Sequence, residues 1–380
     1  MSVKVCNVST VHPRHDSRIF HKQCMSLKKR HFDVLFCVAD GKGDSVDEGI
    51  SIRDIGAYRG RFQRMLKAPV RMFRELLSIK ADIFVFHDAE LLPLALAMKL
   101  VSKARIVYDS HESYRDFLLH KEYIKPQYAK LLSKAFGLLE DFVVKRLDFV
   151  ISATKHIDSQ FDLGDRTAIL YNYPKLSEWD KMPARVQDVA RSDIVYIGNI
   201  VAERGISYIL QAIEPLDCLL HLAGNYEPES YREVLQALPG WSKVKEYGYV
   251  DRTKALQIIN RSVAGLILLQ RLPNNIESLS TKMFEYMSGG IAVIAPDFPI
   301  YKTIIEHNKC GICVDPANVD QIRAAISYLI ANPGEARKMG ENGIRLTKEV
   351  YNWESQETLL ETIYTKLAKK GKHKQIKEAI

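Results

Sequence analysis

The stretch NNIESLSTKMFEYMSGGIAVIAP, residues 274–296, carries the pattern that decides the fold. A polar segment leads into an amphipathic run that has Ser280 and Thr281 at its start, and both residue types cap helix N-termini. A Gly-Gly pair ends this run, and the apolar IAVIA that follows is typical of a buried strand. The stretch therefore predicts a loop, a helix and a strand of a parallel sheet with helical crossovers.

The same alternation extends in both directions along the chain. Strand-like runs such as VKVCNV, DVLFCVA and RIVYDS are apolar throughout, which suits parallel sheets covered on both faces. The pattern restarts near residue 190 with IVYIGN, and 380 residues exceed one ordinary core. We therefore predict an α/β chain with two mostly parallel, doubly wound domains. Their predicted bounds are residues 1–175 and 190–352, with terminal helices in 353–380 that pack back on the first domain and end in a basic tail.

Several classes of protein are excluded by composition. The N-terminus lacks the pattern of a secretory signal, and no stretch approaches the roughly 18 consecutive apolar residues of a membrane span. We therefore expect a cytoplasmic protein.

Among six cysteines only Cys310 and Cys313 are close in sequence, and a structural zinc site needs four ligands. We expect no metal, and a buried turn is the simpler interpretation of this pair.

The net charge of +8 falls mostly in residues 1–175. Its most basic stretch is YRGRFQRMLKAPVRMFRELL, residues 58–77, in which arginine and lysine alternate with large apolar residues. Such a segment either lies on an anionic membrane surface or is a solvated helix that covers the core. We expect no nucleic-acid partner, because no recognition module accompanies the basic residues.

Polar side chains follow the predicted strands, where ligands bind in open parallel sheets. The N–H groups near Leu279, Ser280 and Thr281 would lie at the positive end of a helix, and Lys282 adds a full charge. This arrangement predicts a phosphate site. The chain has no P-loop, and the GKG at 41–43 does not complete a dinucleotide fingerprint.

The two glutamates of the opening stretch are too far apart for a hydrolase pair. If the step from Glu277 to Glu285 were all helix, it would cover about 12 Å, whereas the carboxylates of glycosidases lie about 5 to 10 Å apart. With Glu277 in a loop, we expect the two carboxylates to hold different parts of one long ligand.

This Glu-x7-Glu, inside STKMFEYMSGGIAVIAPDFP, resembles the motif of the retaining glycosyltransferases of family 4, which have the GT-B fold of two facing Rossmann-like domains. Further similar segments run through nearly the whole chain in the family's order: HPRHDSRIFHKQCMSL, YDSHE, YIGNIVAERGI, LAGN, EYGYV, CGICVDP and YNWE. The spacing alone is common. Its position between strand, loop, helix, Gly-Gly and strand makes the resemblance specific.

The resemblance implies a UDP- or GDP-sugar donor held mainly by the second domain. It implies that Glu285 binds the ribose hydroxyls, Glu277 the transferred sugar, and Arg204 the diphosphate, where the family usually has lysine. His111 would lie near the sugar as a third catalytic residue. The remaining donor residues implied are Ser280, Thr281, Leu279, Lys282, Gly198, Asn199, Gly224, Tyr249 and Val250, and those on the acceptor side are Asp16 and Arg18.

Two segments depart from the family pattern. HPRHDSR replaces the usual glycine pair of the first loop, and Gly198-Asn199 replaces the usual Gly-Arg. One expected phosphate cation is therefore missing, which leaves Arg204 and Lys282 as the predicted pair.

The implied activity is metal-independent, cofactor-free transfer, with retention, to a glycan or polyprenyl-linked saccharide in bacterial surface-polysaccharide synthesis. It implies a peripheral position on the inner face of the plasma membrane. A GT-B sugar-nucleotide epimerase and a non-catalytic protein that binds sugar nucleotides or membranes are the alternatives. Simpler roles also remain for single residues: Glu285 paired with Lys282 or Lys309, His111 satisfied at the rim, Asp16 paired with Arg18, and Arg204 solvated.

Overall fold

The computed structural model describes residues 2–119, 125–180 and 192–369. The chain forms two compact units: one runs to Asn172 and includes the C-terminal segment from Trp353, and the other spans Tyr173–Asn352. The predicted basic tail beyond residue 369 and the predicted domain start at 190 lie outside the described residues. Each unit is described by itself below.

The first unit is built on an eight-stranded sheet in the order β3-β4-β2-β1-β5-β6-β7-β8. All neighbours are parallel except β3 and β4, which are antiparallel. The strands are β1 (Lys4–Val8), β2 (Asp33–Val38), β3 (Ser45–Asp47), β4 (Ile50–Asp54), β5 (Ile83–Phe86), β6 (Arg105–Ser110), β7 (Phe149–Ser152) and β8 (Thr167–Ile169).

Helices cover both faces of this sheet. A π-helical segment, Ile19–Cys24, leads into the first α-helix. The α-helices are α1 (Met25–Lys29), α2 (Arg61–Ser78), α3 (Leu92–Val101), α4 (Tyr114–Leu119), α5 (Pro126–Val144) and α6 (Lys155–Asp158). One core cluster contains the inward residues of α2, α3 and α5, and another contains those of the Ile19–Lys29 segment. The apolar strands are therefore buried on both sides, as parallel sheets require.

The second unit has a six-stranded, fully parallel sheet in the order β11-β10-β9-β12-β13-β14. Its strands are β9 (Ile194–Ile197), β10 (Leu220–Ala223), β11 (Val244–Gly248), β12 (Ala264–Leu266), β13 (Ala292–Pro296) and β14 (Gly311–Val314). Its helices are α7 (Leu176–Trp179), α8 (Ile206–Ile213), α9 (Tyr231–Gln236), α10 (Arg252–Arg261), α11 (Pro273–Ile276), α12 (Thr281–Ser288), α13 (Pro299–Ile305), α14 (Val319–Ala331) and α15 (Pro333–Glu349).

The last helix, α16 (Trp353–Ala368), packs on the first unit. Its Trp353 is fully buried, and the indole Nε1 donates to Ser26 Oγ at 2.8 Å. Within the described residues, no helix is both long and apolar enough to cross a membrane. The two units with parallel sheets confirm the predicted α/β fold class of two Rossmann-like domains.

Candidate functional site

The carboxyl ends of β9 and β10 meet at two glycines that permit very close backbone contact. Gly198 follows β9 with φ +139°, and Gly224 follows β10 with φ +144°. A Cβ on Gly224 would collide with the carbonyl of Gly198, and one on Gly198 would collide with the side chain of Lys282. Both glycines therefore allow close packing at the sheet edge where open α/β folds bind ligands.

Lys282 lies in the first turn of α12, against this glycine edge. Its Nζ is 5.4 Å from the centroid of the Tyr196 ring. Burial and the positive charge of Arg204 together lower the pKa of Lys282 to about 8, although the Glu285 carboxylate acts to raise it. The ammonium makes no hydrogen bond or ion pair with any residue that the structure describes. A partly buried cation without a counter-ion favours a bound anion.

Arg204 supplies the second cation of this site. It ends a 3₁₀ turn, Ala202–Arg204, and Gly205 follows in the left-handed region with φ +71°. The Nε of Arg204 is buried and has no hydrogen-bond partner in the described part of the chain. Because the Arg204 charge acts on both Lys282 and Tyr301, the guanidinium lies near the amino end of α12.

The N-terminus of α12 adds backbone donors. Ser280 takes the N-cap position, but its side chain makes no capping hydrogen bond. Its N–H instead donates to the hydroxyl of Tyr301 at 2.9 Å. The N–H groups of Thr281 and Lys282 remain among the donors that a helix leaves free in its first turn. Leu279 precedes this turn and is half-buried. Two cations and these amides together form a site suited to a phosphate group.

Glu285 lies one turn further along α12 and is bound by an arginine that sequence analysis missed. Its Oε1 is 2.8 Å from Nη1 of Arg252, and the alternative ion pair with Lys282 or Lys309 does not form among the described residues. Arg252 Nη2 is 3.0 Å from Glu178 Oε2, and its guanidinium lies 4.8 Å from the Trp179 ring. Arg252 begins α10 directly after the predicted EYGYV turn, and Asp251 caps that helix. The sequence signal that could have identified Arg252 is its position directly after that turn.

The other predicted donor residues are mostly exposed. Glu277 follows α11 at the surface and has no ion pair in the described residues. Asn199 is exposed, and its carbonyl accepts from Tyr196 Oη at 2.7 Å. Tyr249 is 80% exposed, and Val250 is half-buried. They follow β9, β11 and β12, as the carboxyl-edge argument predicts.

In the first unit, polar residues at the carboxyl ends of β5 and β6 form a hydrogen-bonded cluster. Asp109 is fully buried, and its Oδ1 accepts from Arg18 Nη2 at 2.7 Å. Its Oδ2 is 2.5 Å from Gln23 Nε2, 3.1 Å from His87 Nδ1 and 2.9 Å from His111 Nε2. Burial alone would raise the pKa of Asp109, but Arg18 and the two imidazoles hold it well below its usual range.

His111 is the exposed member of this cluster. Its side chain is 13% exposed, whereas those of His87 and Asp109 are buried. Burial lowers the pKa of His111 to about 4 even though Asp109 acts to raise it. At neutral pH the ring is therefore uncharged, and we assign the proton to Nε2 because that nitrogen faces Asp109. Nδ1 then has a free lone pair, which can accept a hydrogen bond from a hydroxyl.

Asp16 and Arg18, predicted to lie on the acceptor side, have separate partners. Asp16 Oδ1 accepts from the N–H groups of Arg18 and Ile19, both at 2.8 Å, at the start of the π-helical segment. Its Oδ2 is 3.3 Å from His12 Nδ1. The Arg18 guanidinium is only 4% exposed and also donates to the Leu170 carbonyl at 2.7 Å. The two side chains therefore do not form the local ion pair that was the alternative.

The same cluster is the group of described residues that could hold a metal ion. Ligand atoms of His87, Asp109 and His111 lie within 4.8 Å of one another. However, Asp109 already accepts from Arg18 and Gln23, and the Arg18 charge repels a cation at this point. We interpret the cluster as a hydrogen-bonded network. Cys310 and Cys313 are free thiols, and Cys310 is buried.

Residues 178–346 match the family Glycosyl transferases group 1, and this segment lies inside the second unit. A mannosyltransferase of Mycolicibacterium hassiacum, "MMP alpha-(1->4)-mannosyltransferase", is 28% identical over 46% of this chain and 43% of its own length. An alpha-D-kanosaminyltransferase of Streptomyces kanamyceticus is 26% identical over 47% of this chain and 46% of its own. The chain thus spans less than half the length of these two curated relatives.

Solved structures match nearly the whole chain. Sucrose-phosphate synthase from Thermosynechococcus elongatus superposes with a TM-score of 0.77 at 14% identity, covering 96% of this chain and 99% of the other. The Anabaena protein HepE, solved in complex with UDP and glucose, gives a TM-score of 0.71 at 12% identity and covers 96% and 100%. At such identities the likeness establishes the fold alone. The chain has the GT-B fold of glycosyltransferases, and its second unit carries the match to the group 1 family.

Proposed function

We propose that this protein transfers a sugar from a nucleoside-diphosphate sugar, UDP- or GDP-linked, to a hydroxyl acceptor. The observation that carries the proposal is the pair of cations Lys282 and Arg204, which lack counter-ions in the described residues and lie at the amino end of α12. A diphosphate would supply the negative charge that this site lacks. The group 1 family match over the second unit and the GT-B fold support the same assignment.

The proposed chemistry follows from where charge develops. Cleavage of the sugar–phosphate bond leaves positive charge at the anomeric carbon and negative charge on the departing diphosphate. Arg204, Lys282 and the first amides of α12 would stabilise the diphosphate without a metal ion. Glu285, held by Arg252, would bind the ribose hydroxyls, and Glu277 the hydroxyls of the transferred sugar.

We propose that transfer proceeds with retention and needs no protein nucleophile. The departing phosphate oxygen would take the proton of the acceptor hydroxyl on the same face of the sugar. His111, neutral and held by Asp109, would accept a hydrogen bond from a sugar hydroxyl through Nδ1. Asp16 and Arg18 would then fix the loop around it on the acceptor side.

For the acceptor we propose a glycan or polyprenyl-linked saccharide of bacterial surface-polysaccharide synthesis, met at the inner face of the plasma membrane. The basic and apolar residues on the surface of α2 support a membrane-linked acceptor. Helix α2 exposes Phe62 (84%) and Leu66 (74%) beside Arg61, Lys67 and Arg71. Apolar residues flanked by arginine and lysine are typical of helices that lie on anionic membranes.

A thermal-shift screen of UDP- and GDP-sugars, each with and without EDTA, tests the donor site. We expect one nucleotide sugar to raise the melting temperature in both conditions, because the site uses protein cations. The same donor incubated with acceptor should release nucleoside diphosphate, and NMR of the product should show an unchanged anomeric configuration. Isomerisation of the donor without acceptor would instead identify an epimerase, and binding without turnover a non-catalytic protein. An inverted product would overturn retention.

A further inference from the structure

Helix α5 of the first unit exposes a stripe of apolar side chains to solvent. Its members recur at intervals of three, four and seven residues, so that they share one face of the helix. They are Tyr128 (55% exposed), Leu131 (65%), Leu132 (46%), Leu138 (64%), Leu139 (43%) and Phe142 (49%). Single exposed apolar residues are ordinary, but a continuous face of this kind marks an interaction surface.

The rotation of α5 about its axis is fixed by an ion pair on its opposite face. Glu140 is buried, and its Oε2 is 2.7 Å from Arg115 Nε. Arg115 Nη2 also contacts Asp141 Oδ1 at 2.6 Å, and the arginine packs where Gly137 leaves room. Turning Glu140 outward would break this pair, and Val143 and Val144 are buried on the same side, so rotation of the stripe into the core is opposed.

The charges around the stripe are basic. Lys130, Lys134 and Lys145 are exposed, and none of them forms an ion pair with another described residue. Arg146 at the end of the helix stacks on Phe142, with its guanidinium carbon 3.5 Å from the ring centroid. The acidic residues of α5, Glu140 and Asp141, are already paired with Arg115. The exposed face of α5 is therefore both apolar and positively charged.

Helices α5 and α2 belong to the same layer. Val143 and Val144 of α5 join one core cluster with Ala68 and Met72 of α2, so that both helices cover the same face of the sheet. From this arrangement we propose that α5 is a membrane-docking helix, whose stripe inserts among the acyl chains of an anionic bilayer while its lysines bind the headgroups. The inference rests on the proposed function for its purpose, which is access to a lipid-linked acceptor.

Charge complementarity favours a lipid surface over a second copy of the chain. A twofold dimer through α5 would bring the basic face of one copy onto that of the other, and the carboxylates of α5, Glu140 and Asp141, are already paired with Arg115. Like charges brought together in that way oppose association. An anionic bilayer instead offers acyl chains for the leucines and negative headgroups for the lysines.

Flotation of the full chain, without nucleotide sugar, with vesicles of 70% phosphatidylcholine and 30% phosphatidylglycerol tests the proposal. We expect wild-type protein to float with these vesicles and not with pure phosphatidylcholine. Leu138→Glu should lower the partition coefficient about tenfold or more, since it removes one inserted leucine and adds an anion. Lys134→Gln should lower it about fivefold. Val234→Glu, which places the same charge at an exposed valine of α9, should bind as wild type does.

Analytical ultracentrifugation of the same variants separates the alternatives. Wild-type protein that is dimeric, together with a monomeric Leu138→Glu variant and unchanged vesicle binding, would assign the stripe to self-association and overturn the proposal. Equal binding of wild type and Leu138→Glu to anionic vesicles would also overturn it. Failure of the donor screen would leave these readouts unaffected, because no donor is present. Equal melting temperatures establish that each variant is folded.

Discussion

The charged residues of two clusters, one in each unit, differ in whether they form ion pairs with described residues. In the first unit, Asp109 accepts from an arginine, a glutamine and two histidines, and Arg18 is fully engaged. In the second, the charge of Arg204 helps to lower the pKa of Lys282 although Glu285 acts to raise it, and neither cation forms an ion pair with a described residue. The buried charge of Asp109 is paired with Arg18, whereas Lys282 and Arg204 gain an ion-pair partner when a ligand brings negative charge.

This difference assigns different tasks to the two clusters. A buried hydrogen-bonded network around a paired charge fixes the geometry of the residues it contains, here the orientation of the His111 ring. An unsatisfied pair of cations is kept at a cost to folding, and a bound diphosphate offsets that cost. Substitutions in the first cluster should therefore affect stability before activity, and those in the second should affect ligand binding and rate before stability.

The largest effect is expected from Arg18→Met, which leaves the buried Asp109 without its cation. Breaking a buried ion pair costs about 3–5 kcal/mol, so the first unit should melt at a clearly lower temperature. Arg53→Met removes an arginine from an exposed pair with Asp44 and should cost below about 1 kcal/mol. Denaturant unfolding measures the free energy of unfolding of both variants. Similar losses in the two would contradict the stabilising role assigned to the buried Arg18–Asp109 pair.

The next effect concerns rate. Arg204→Ala should lower kcat by roughly 10²-fold, because the guanidinium stabilises charge that appears only as the diphosphate leaves. The melting temperature of the unliganded protein should not fall, since a cation without a partner is removed. Arg345→Ala, at an exposed position of α15, serves as the control. Steady-state kinetics with the donor from the thermal-shift screen gives kcat for Arg204→Ala and for the control. An unchanged kcat would remove Arg204 from the site.

A smaller effect is expected from Glu285→Gln. The change keeps the shape of the side chain but loses the negative charge that Arg252 and the ribose hydroxyls would share. Hydrogen bonds to charged groups contribute about 1.5–3 kcal/mol, so donor Kd should rise at least about tenfold while kcat changes less. Isothermal titration with the donor measures Kd, and Glu335→Gln on the surface of α15 is the matched control. Equal affinities in the two variants would contradict the ribose assignment.

The sequence was sufficient for the fold because its signals are local. Apolar runs and the helix with its Gly-Gly end predict strands and crossovers one after another, and the order of polar segment, α12 and β13 follows directly from residues 274–296. Lys282 was predictable for the same reason, since its place in the first turn of α12 is a matter of spacing.

The missed features depend on contacts between distant residues. Arg252 and Glu285 are brought together only when β11 and β12 take their places in the sheet. The Asp109 network joins residues from the π-helical segment, β5 and β6, and no spacing rule contains that information. In α5 the inward face contains the buried Val143, Val144 and Glu140, the last paired with Arg115 of another helix, and the spacing of the leucines does not contain that information.

The most sensitive test of the unpaired cations is the pH dependence of donor affinity. Lys282 has a pKa of about 8 in the free protein, so it is mostly charged at pH 7 and mostly neutral at pH 9. A bound diphosphate favours the ammonium and raises that pKa, because an opposite charge stabilises the protonated form. Affinity should therefore be constant below pH 7 and fall above pH 8, by up to about tenfold per pH unit until the pKa of the bound state is reached. Lys282→Arg keeps the charge at every pH tested and should remove this slope, even if its larger head binds less tightly beside Gly198. A slope that persists unchanged in Lys282→Arg would mean that another group titrates with donor binding, and the charge of Lys282 would then not be what the diphosphate recognises.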